Sequence, residues 1–244
     1  MANSFFRFKQ FTVSHDLCGM KVGTDGVLLG AYASLVSEEK QPTILDIGTG
    51  TGLVALMLAQ RYALAQIDAV EINTQASKQA EMNCADSPWS ERIRVYNQDI
   101  VDFSKTSKLC YDLIVSNPPF FENSLKADCV HRTQARHTDT LSFQTLLQCA
   151  HMLLAPHGRI VLILPVNVTQ EIAQIAEAHS LAITHILWVR GNDSQPIKRA
   201  ILSLSHLAVG RSVVLHEREL VIEQSRHQYT ADYIALTQAF YLKM

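Results

Sequence analysis

The sequence predicts an α/β fold, a largely parallel sheet with helices on both faces. Three observations predict it. Apolar, strand-like runs alternate with helical stretches along most of the chain. A glycine-dense loop, Asp46-Ile47-Gly48-Thr49-Gly50-Thr51-Gly52, separates the first such strand from the helix after it. A later strand stops abruptly at Asn117-Pro118-Pro119-Phe120, where two prolines cannot extend a sheet.

The elements follow in order. Residues 1–40 precede the first sheet strand and are expected to cap a cofactor site. Within them, Gly23 and Gly26 permit a bend, and Asp25 is placed to cap a helix over Val27–Tyr32. Strands are expected at Thr43–Ile47, Gln66–Val70, Ile93–Tyr96, Tyr111–Ser116, Gly158–Leu164, Ala182–Val189 and Arg199–His206. Helices are expected at Gly52–Arg61, Thr74–Asp86, Ser142–Leu154 and Val168–His179, with Gly158 read as the stop after the third of these. The mixed, polar residues 210–232 read as a loop or an added hairpin. No internal repeat, low-complexity tract or Pro/Gly-rich linker interrupts the chain, which reads as one domain over residues 1–244.

Bulk properties set limits. Hydrophobic residues make up 48%, as in an ordinary globular enzyme. The longest apolar run, Ile160–Leu164, is far short of a membrane span, and the start lacks the apolar region of a secretory signal. Five scattered cysteines, Cys18, Cys84, Cys110, Cys129 and Cys149, have no metal-ligand spacing and read as reduced thiols in a cytoplasmic protein. Net charge is −2 with ten neutral histidines, so nothing global favours a nucleic-acid partner. Local candidates are Arg7 and Lys9, Lys198-Arg199, and above all Arg132 and Arg136, four apart and following the Pro-Pro turn.

The glycine loop suits a nucleotide cofactor, because glycines let the backbone bend sharply and approach a ligand. A plain strand-to-helix turn is the simpler alternative. Gly50-Thr51-Gly52-Leu53-Val54-Ala55 satisfies a relaxed dinucleotide fingerprint, and Glu71 follows at about the distance of a ribose-binding acid. Both features serve S-adenosylmethionine equally. Asp46 tips the balance, because a carboxylate beside the loop suits an ammonium and a sulfonium and repels a pyrophosphate. The Asn-Pro-Pro-Phe turn points the same way. The Asn117 amide oxygen and the Pro118 carbonyl can accept both hydrogens of one exocyclic amine, and Phe120 offers a stacking face. Alone, that turn is also an ordinary way to end a strand.

Together these residues resemble the amino-methylating class I methyltransferases. The resemblance implies a Rossmann-like fold with a seven-stranded, mostly parallel sheet whose last strand is antiparallel. It implies that the motif at Asp46–Gly52 holds the methionine part of the cofactor, that Glu71 holds the ribose, and that Asp99 meets the adenine. Asp99 also reads as a helix N-cap. A closer resemblance covers almost the whole chain, through Phe8-Lys9-Gln10-Phe11, His15-Asp16, Met20 to Gly26, Ser87-Pro88-Trp89, Gln134-Ala135-Arg136 and Tyr233 to Tyr241. These segments are similar to the bacterial tRNA1(Val) (adenine-37-N6)-methyltransferase family.

The family implies S-adenosylmethionine as cofactor, with contacts at Lys21, Thr24, Asp25, Asp46, Gly48, Gly50, Gly52, Glu71, Ile72, Asp99 and Asn117. It implies catalytic roles for Asn117, Pro118 and Phe120, and a tRNA anticodon loop as partner, with Arg132 and Arg136 on the RNA side. A monomer without metal or membrane association is expected. Methylation of another amine (rRNA, DNA or a protein glutamine) stays open, as does a non-catalytic RNA- or nucleotide-binding module.

Overall fold

The computed structural model describes residues 4–18, 21–37, 41–119, 141–207 and 214–244. The chain begins with an antiparallel hairpin, β1 (Phe5–Arg7) and β2 (Thr12–Ser14), followed by α1 (Thr24–Tyr32). Then come β3 (Thr43–Ile47), α2 (Leu53–Arg61), β4 (Gln66–Glu71), α3 (Thr74–Ala85), β5 (Ile93–Asn97), α4 (Ile100–Thr106) and β6 (Tyr111–Ser116). The second half carries α5 (Phe143–Leu153), β7 (Leu154–Pro165), α6 (Thr169–Ala178), β8 (Leu181–Asn192) and β9 (Arg199–His206). It ends with β10 (His216–Ser225), β11 (Gln228–Tyr229) and α7 (Ala231–Thr237).

Nine strands form one sheet in the order β11-β10-β8-β9-β7-β6-β3-β4-β5. The seven expected strands are its body, with β9 antiparallel to both neighbours, β7 and β8. Residues 214–232 extend that body. Strand β10 pairs in parallel with β8, and β11 turns back on β10, so the hairpin reading holds and the sheet grows by two strands.

Both faces of the sheet are covered, and the central strands divide their apolar side chains between two cores. Ile44, Leu113, Val115, Val161, Ile163 and Ile201 pack on the side of α1 and α2. Leu45, Ile47, Ile114, Ile160, Leu162, Leu164, Leu202 and Leu204 pack on the side of α4, α5 and α6. Burial on both faces is why these strands read as continuous apolar runs rather than alternating ones. The sheet-facing stretch Leu53–Ala59 of α2 is buried throughout, so truncating Leu56 to Ala would cost about 2–5 kcal/mol.

Two expectations are corrected here. Gly158 does not stop α5, which ends at Leu153, but lies inside β7. Strand β7 bulges there: Tyr111 faces Leu154 while Leu113 faces Arg159. A Cβ on Gly158 would stand 2.7 Å from the Tyr111 carbonyl oxygen, so the close backbone approach requires glycine. Asp25 does not cap α1, whose N-cap is Gly23; it sits in the first turn with its carboxylate engaged elsewhere.

The two chain ends meet. The Lys9 main-chain N–H donates to the Phe240 carbonyl at 2.8 Å, and its ammonium reaches the carbonyls of Gln238 and Met244 at 2.6 and 3.0 Å. Phe8 stacks on Phe11 and on Tyr241, and Phe11 meets the edge of Trp89. The terminal segments that carried the whole-chain resemblance are therefore one aromatic cluster.

Candidate functional site

Strand β3 lies between β4 and β6, where the chain, having built β4 and β5 on one side, crosses to the other. A crevice opens at the carboxyl ends of parallel strands at such a reversal, and ligands bind there. A cavity of about 620 Å³ occupies this place. Its walls are Asp46 near the end of β3, the loop Gly48–Thr51, the start of α2, the turn Asn117-Pro118-Pro119 after β6, and Cys18 with Lys21–Gly26 from the N-terminal segment.

The glycine loop has the geometry its composition requires. Gly48, Gly50 and Gly52 have φ of 72°, 57° and 81°, the left-handed region that other residues enter only with strain. Nothing lies within 4 Å of where a Cβ would stand on Gly48 or Gly50, so both face open space. Gly52 is the N-cap of α2. The Gly48 and Thr49 N–H groups donate to the Val70 carbonyl at 2.8 and 3.2 Å, which ties the loop to β4.

Glu71, at the end of β4, reaches back to this loop. Its Oε2 accepts from the Gly50 N–H at 2.9 Å and its Oε1 from the Asn73 N–H at 2.9 Å. Asn73 in turn caps α3 through Gln75 and Ala76. Asp46 is buried. Its Oδ2 accepts from the Thr49 hydroxyl at 2.6 Å and from the Ala55 N–H at 3.2 Å. Burial pushes its carboxyl up to about 7, against those two hydrogen bonds, with a smaller repulsion from Glu71. Burial, with Asp46 nearby, also pushes the Cys84 thiol up to about 12, which makes it an inert core residue.

The remaining site candidates divide by position. Lys21, Thr24, Asp25, Asp46, Gly48, Gly50, Asn117 and Pro118 share the cavity. Gly52 lies under the loop, against Ala80 and Cys84. Ile72 and Asp99 stand off the cavity wall at the ends of β4 and β5. Ile72 is 61% exposed, and Asp99 caps α4 by accepting from the Val101 N–H at 2.7 Å. The Asn97 amide joins these two strand ends, donating to the carbonyls of Glu71 and Ile72. Phe120, Arg132 and Arg136 lie outside the described residues.

Sequence reasoning missed three contributors. Thr49 holds Asp46. Arg199, at the start of β9 and named above only as a candidate nucleic-acid contact, donates from Nε to Asp25 Oδ2 at 2.8 Å. Asn83, on α3, contacts both the glycine loop and the N-terminal segment. Thr49 was within reach, since it lies inside the motif. The other two are distant in sequence and carry no local signal. Among the described residues, no group of His, Cys, Asp or Glu could hold a metal, and no helix is long and apolar enough to cross a membrane.

Three comparisons bear on this arrangement. Residues 28–180 match the family model of the methyltransferase small domain. The chain is 47% identical, over all of both chains, to a tRNA1(Val) (adenine(37)-N6)-methyltransferase of Parabacteroides distasonis. It is 44% identical to one of Pectobacterium carotovorum, over 98% of this chain and 94% of that one. Among solved structures, a predicted O-methyltransferase from Agrobacterium tumefaciens superposes with a TM-score of 0.67 at 19% identity, covering 88% of this chain and 96% of that one, a likeness of fold alone.

Proposed function

The chain belongs to the tRNA1(Val) (adenine(37)-N6)-methyltransferase family, and on that premise we propose that it methylates the 6-amino nitrogen of adenosine 37 in the anticodon loop of tRNA1(Val). The observation that carries the reading is a shared wall: Asn117 and Pro118 line the same cavity as the glycine loop and Asp46. An amine gripped by the turn is thereby delivered to the cofactor's pocket.

The residues present fit S-adenosylmethionine, the cofactor of this enzyme class. Open space above Gly48 and Gly50 admits a close backbone approach, and the buried Asp46 supplies negative charge beside a cationic ligand. When bound, the cofactor supplies a methyl group activated on a sulfonium. Lys21, Thr24, Asp25, Asp46, Gly48, Gly50 and Gly52 would hold its methionine end, Glu71 its ribose, and Ile72 and Asp99 its adenine.

The protein's part is mainly positioning. The amine lone pair is delocalised into the adenine ring. Two acceptors, Asn117 Oδ1 and the Pro118 carbonyl, would draw the N–H bonds out of that plane and localise the lone pair on the nitrogen. Holding the reacting atoms about 3–3.5 Å apart and in line supplies much of the acceleration. Phe120 stacks the extruded base, which leaves a loop more cheaply than a duplex. Arg132 and Arg136 meet the RNA backbone. The chain acts as a single cytoplasmic domain, residues 1–40 closing over the cofactor.

The direct test is incubation with methyl-labelled S-adenosylmethionine and bulk tRNA from a cell lacking the enzyme. Labelled N6-methyladenosine at position 37 of one valine tRNA is the expected product. Unlabelled tRNA, or label at another nucleoside or position, would overturn the assignment.

A further inference from the structure

The cofactor cavity has two walls from distant parts of the chain. One is the glycine loop, including Thr51; the other is Cys18 and Lys21–Gly26, which follow β2. No covalent or sheet connection joins them directly, yet the distance between them sets the width of the pocket. Helix α3 passes behind both.

Asn83 on α3 is 4% exposed and uses its whole amide to bridge the two walls. Its Oδ1 accepts from the Ser14 N–H at 2.9 Å. Its Nδ2 donates to the Ser14 carbonyl at 2.9 Å and to the Thr51 carbonyl at 2.8 Å. One turn earlier on the same face, Gln79, 1% exposed, accepts from the Leu17 N–H at 3.0 Å through Oε1. Two buried amides thus fix Ser14 to Leu17, the stretch that leads into the cavity wall, and one of them also holds the glycine loop. The Asn83 amide, engaged through both Oδ1 and Nδ2, resists displacement, because breaking any of its bonds strands a buried main-chain group without water.

We propose that Asn83, assisted by Gln79, is a positioning residue for the cofactor site: it clamps the N-terminal wall to the glycine loop and so sets the pocket that the cofactor enters. The clamp makes no contact with substrate. This inference rests on the cavity being the S-adenosylmethionine site.

The test is the pair Asn83→Asp and Gln79→Met in the full chain. Asn83→Asp keeps the acceptor for Ser14 N–H and replaces the donor pair with an oxygen facing two carbonyls. Gln79→Met keeps the volume and removes the amide, and with it the acceptor for the Leu17 N–H, and it serves if Asn83→Asp does not fold. Three readouts are taken: cofactor and S-adenosylhomocysteine affinity by calorimetry, hydrogen exchange of the ligand-free protein, and kcat at saturating cofactor. The expected result for Asn83→Asp is about tenfold weaker binding of both ligands, and for Gln79→Met about threefold. Exchange should speed up within residues 14–26 and 48–52 while β6 and β7 stay protected, and kcat should hold within about twofold.

Affinity equal to wild type in both variants overturns the clamp. So does faster exchange spread evenly over the sheet, which would mark Asn83 as a residue of general stability. If the wild type itself binds neither ligand, it is the cofactor assignment of the cavity that fails.

Discussion

Arg199 Nε donates to Asp25 Oδ2 at 2.8 Å across 174 residues of sequence, joining the start of β9 to the first turn of α1, where Asp25 lines the cavity. Both side chains keep some solvent contact, so the pair contributes modestly to stability. Its consequence is electrostatic: Arg199 offsets a carboxylate that lines the cavity and, in the proposed function, would face a cationic ligand. Arg199→Ala should therefore favour S-adenosylmethionine over its uncharged-sulfur product, and Asp25→Asn should do the reverse. A unit charge at about 8 Å with an effective dielectric of roughly 40 is worth about 1 kcal/mol, a roughly fivefold change in the affinity ratio. Calorimetry with both ligands measures it, and an unchanged ratio in both variants would refute it.

Asp46 predicts a pH dependence. Burial raises its carboxyl to about 7, so in the ligand-free protein it takes up a proton as pH falls through neutrality. A cationic ligand favours the ionised form. Cofactor binding should therefore strengthen from about pH 5.5 to 7.5 and release a proton, seen as a buffer-dependent enthalpy. For folding the sign is opposite. The unfolded carboxyl ionises near 4, so ligand-free stability should fall as pH rises from about 4 to 7, then level off. Asp46→Asn should flatten both profiles.

Glu71 is expected to matter twice, since its carboxylate is held by the N–H groups of Gly50 and Asn73 while being the proposed ribose acceptor. Glu71→Ala should weaken cofactor binding by about 1.5–3 kcal/mol and also lower the melting temperature of the ligand-free protein. A variant with wild-type melting and weaker binding would confine Glu71 to the ligand.

Asn117→Ala separates binding from chemistry. Cofactor affinity should stay near wild type while kcat falls by roughly 10²–10³, the loss expected for one preorganised polar group at a reacting centre. Near-normal turnover in a single-turnover assay would remove Asn117 from the mechanism.

The RNA surface is tested by salt. A protein of net charge −2 that binds tRNA through a local patch should show a modest slope of log affinity against log salt, about 0.7–0.9 for each phosphate neutralised. Arg132→Ala and Arg136→Ala should each reduce that slope by about one such step without touching cofactor affinity. Slopes equal to wild type would move the contact to Arg7, Lys9 or Lys198, of which Arg7 and Lys198 are exposed and Lys9 reaches the carbonyls of Gln238 and Met244.

Most of the sheet was legible because the central strands are buried on both faces and so are rich in consecutive apolar residues, as in Leu113–Val115 of β6 and Ile160–Leu164 of β7. Elements with one exposed face were harder. Strand β10 reads as a polar mixture, His216-Glu217-Arg218-Glu219, because β11 pairs only with its far end, and its parallel pairing with β8 has no local signature. Gly158 shows the same limit. A glycine after an apolar helix reads as a stop, and only the approach of Tyr111 reveals a bulge.

The sequence by itself determined the glycine loop, the Asn-Pro-Pro turn and the acid at Glu71, because each rests on residue types whose backbone or charge leaves few alternatives at that spacing. Positive φ at Gly48, Gly50 and Gly52, and a strand ending before Pro118, follow from steric rules that act within a few residues. The tertiary structure decided what those pieces face. That Asp25 pairs with Arg199, that Glu71 holds Gly50, and that Asn83 joins Ser14 to Thr51 are contacts between segments 21 to 174 residues apart. Such contacts arise when strands of a parallel sheet bring their carboxyl ends to one edge, and no local pattern encodes which side chains then meet there.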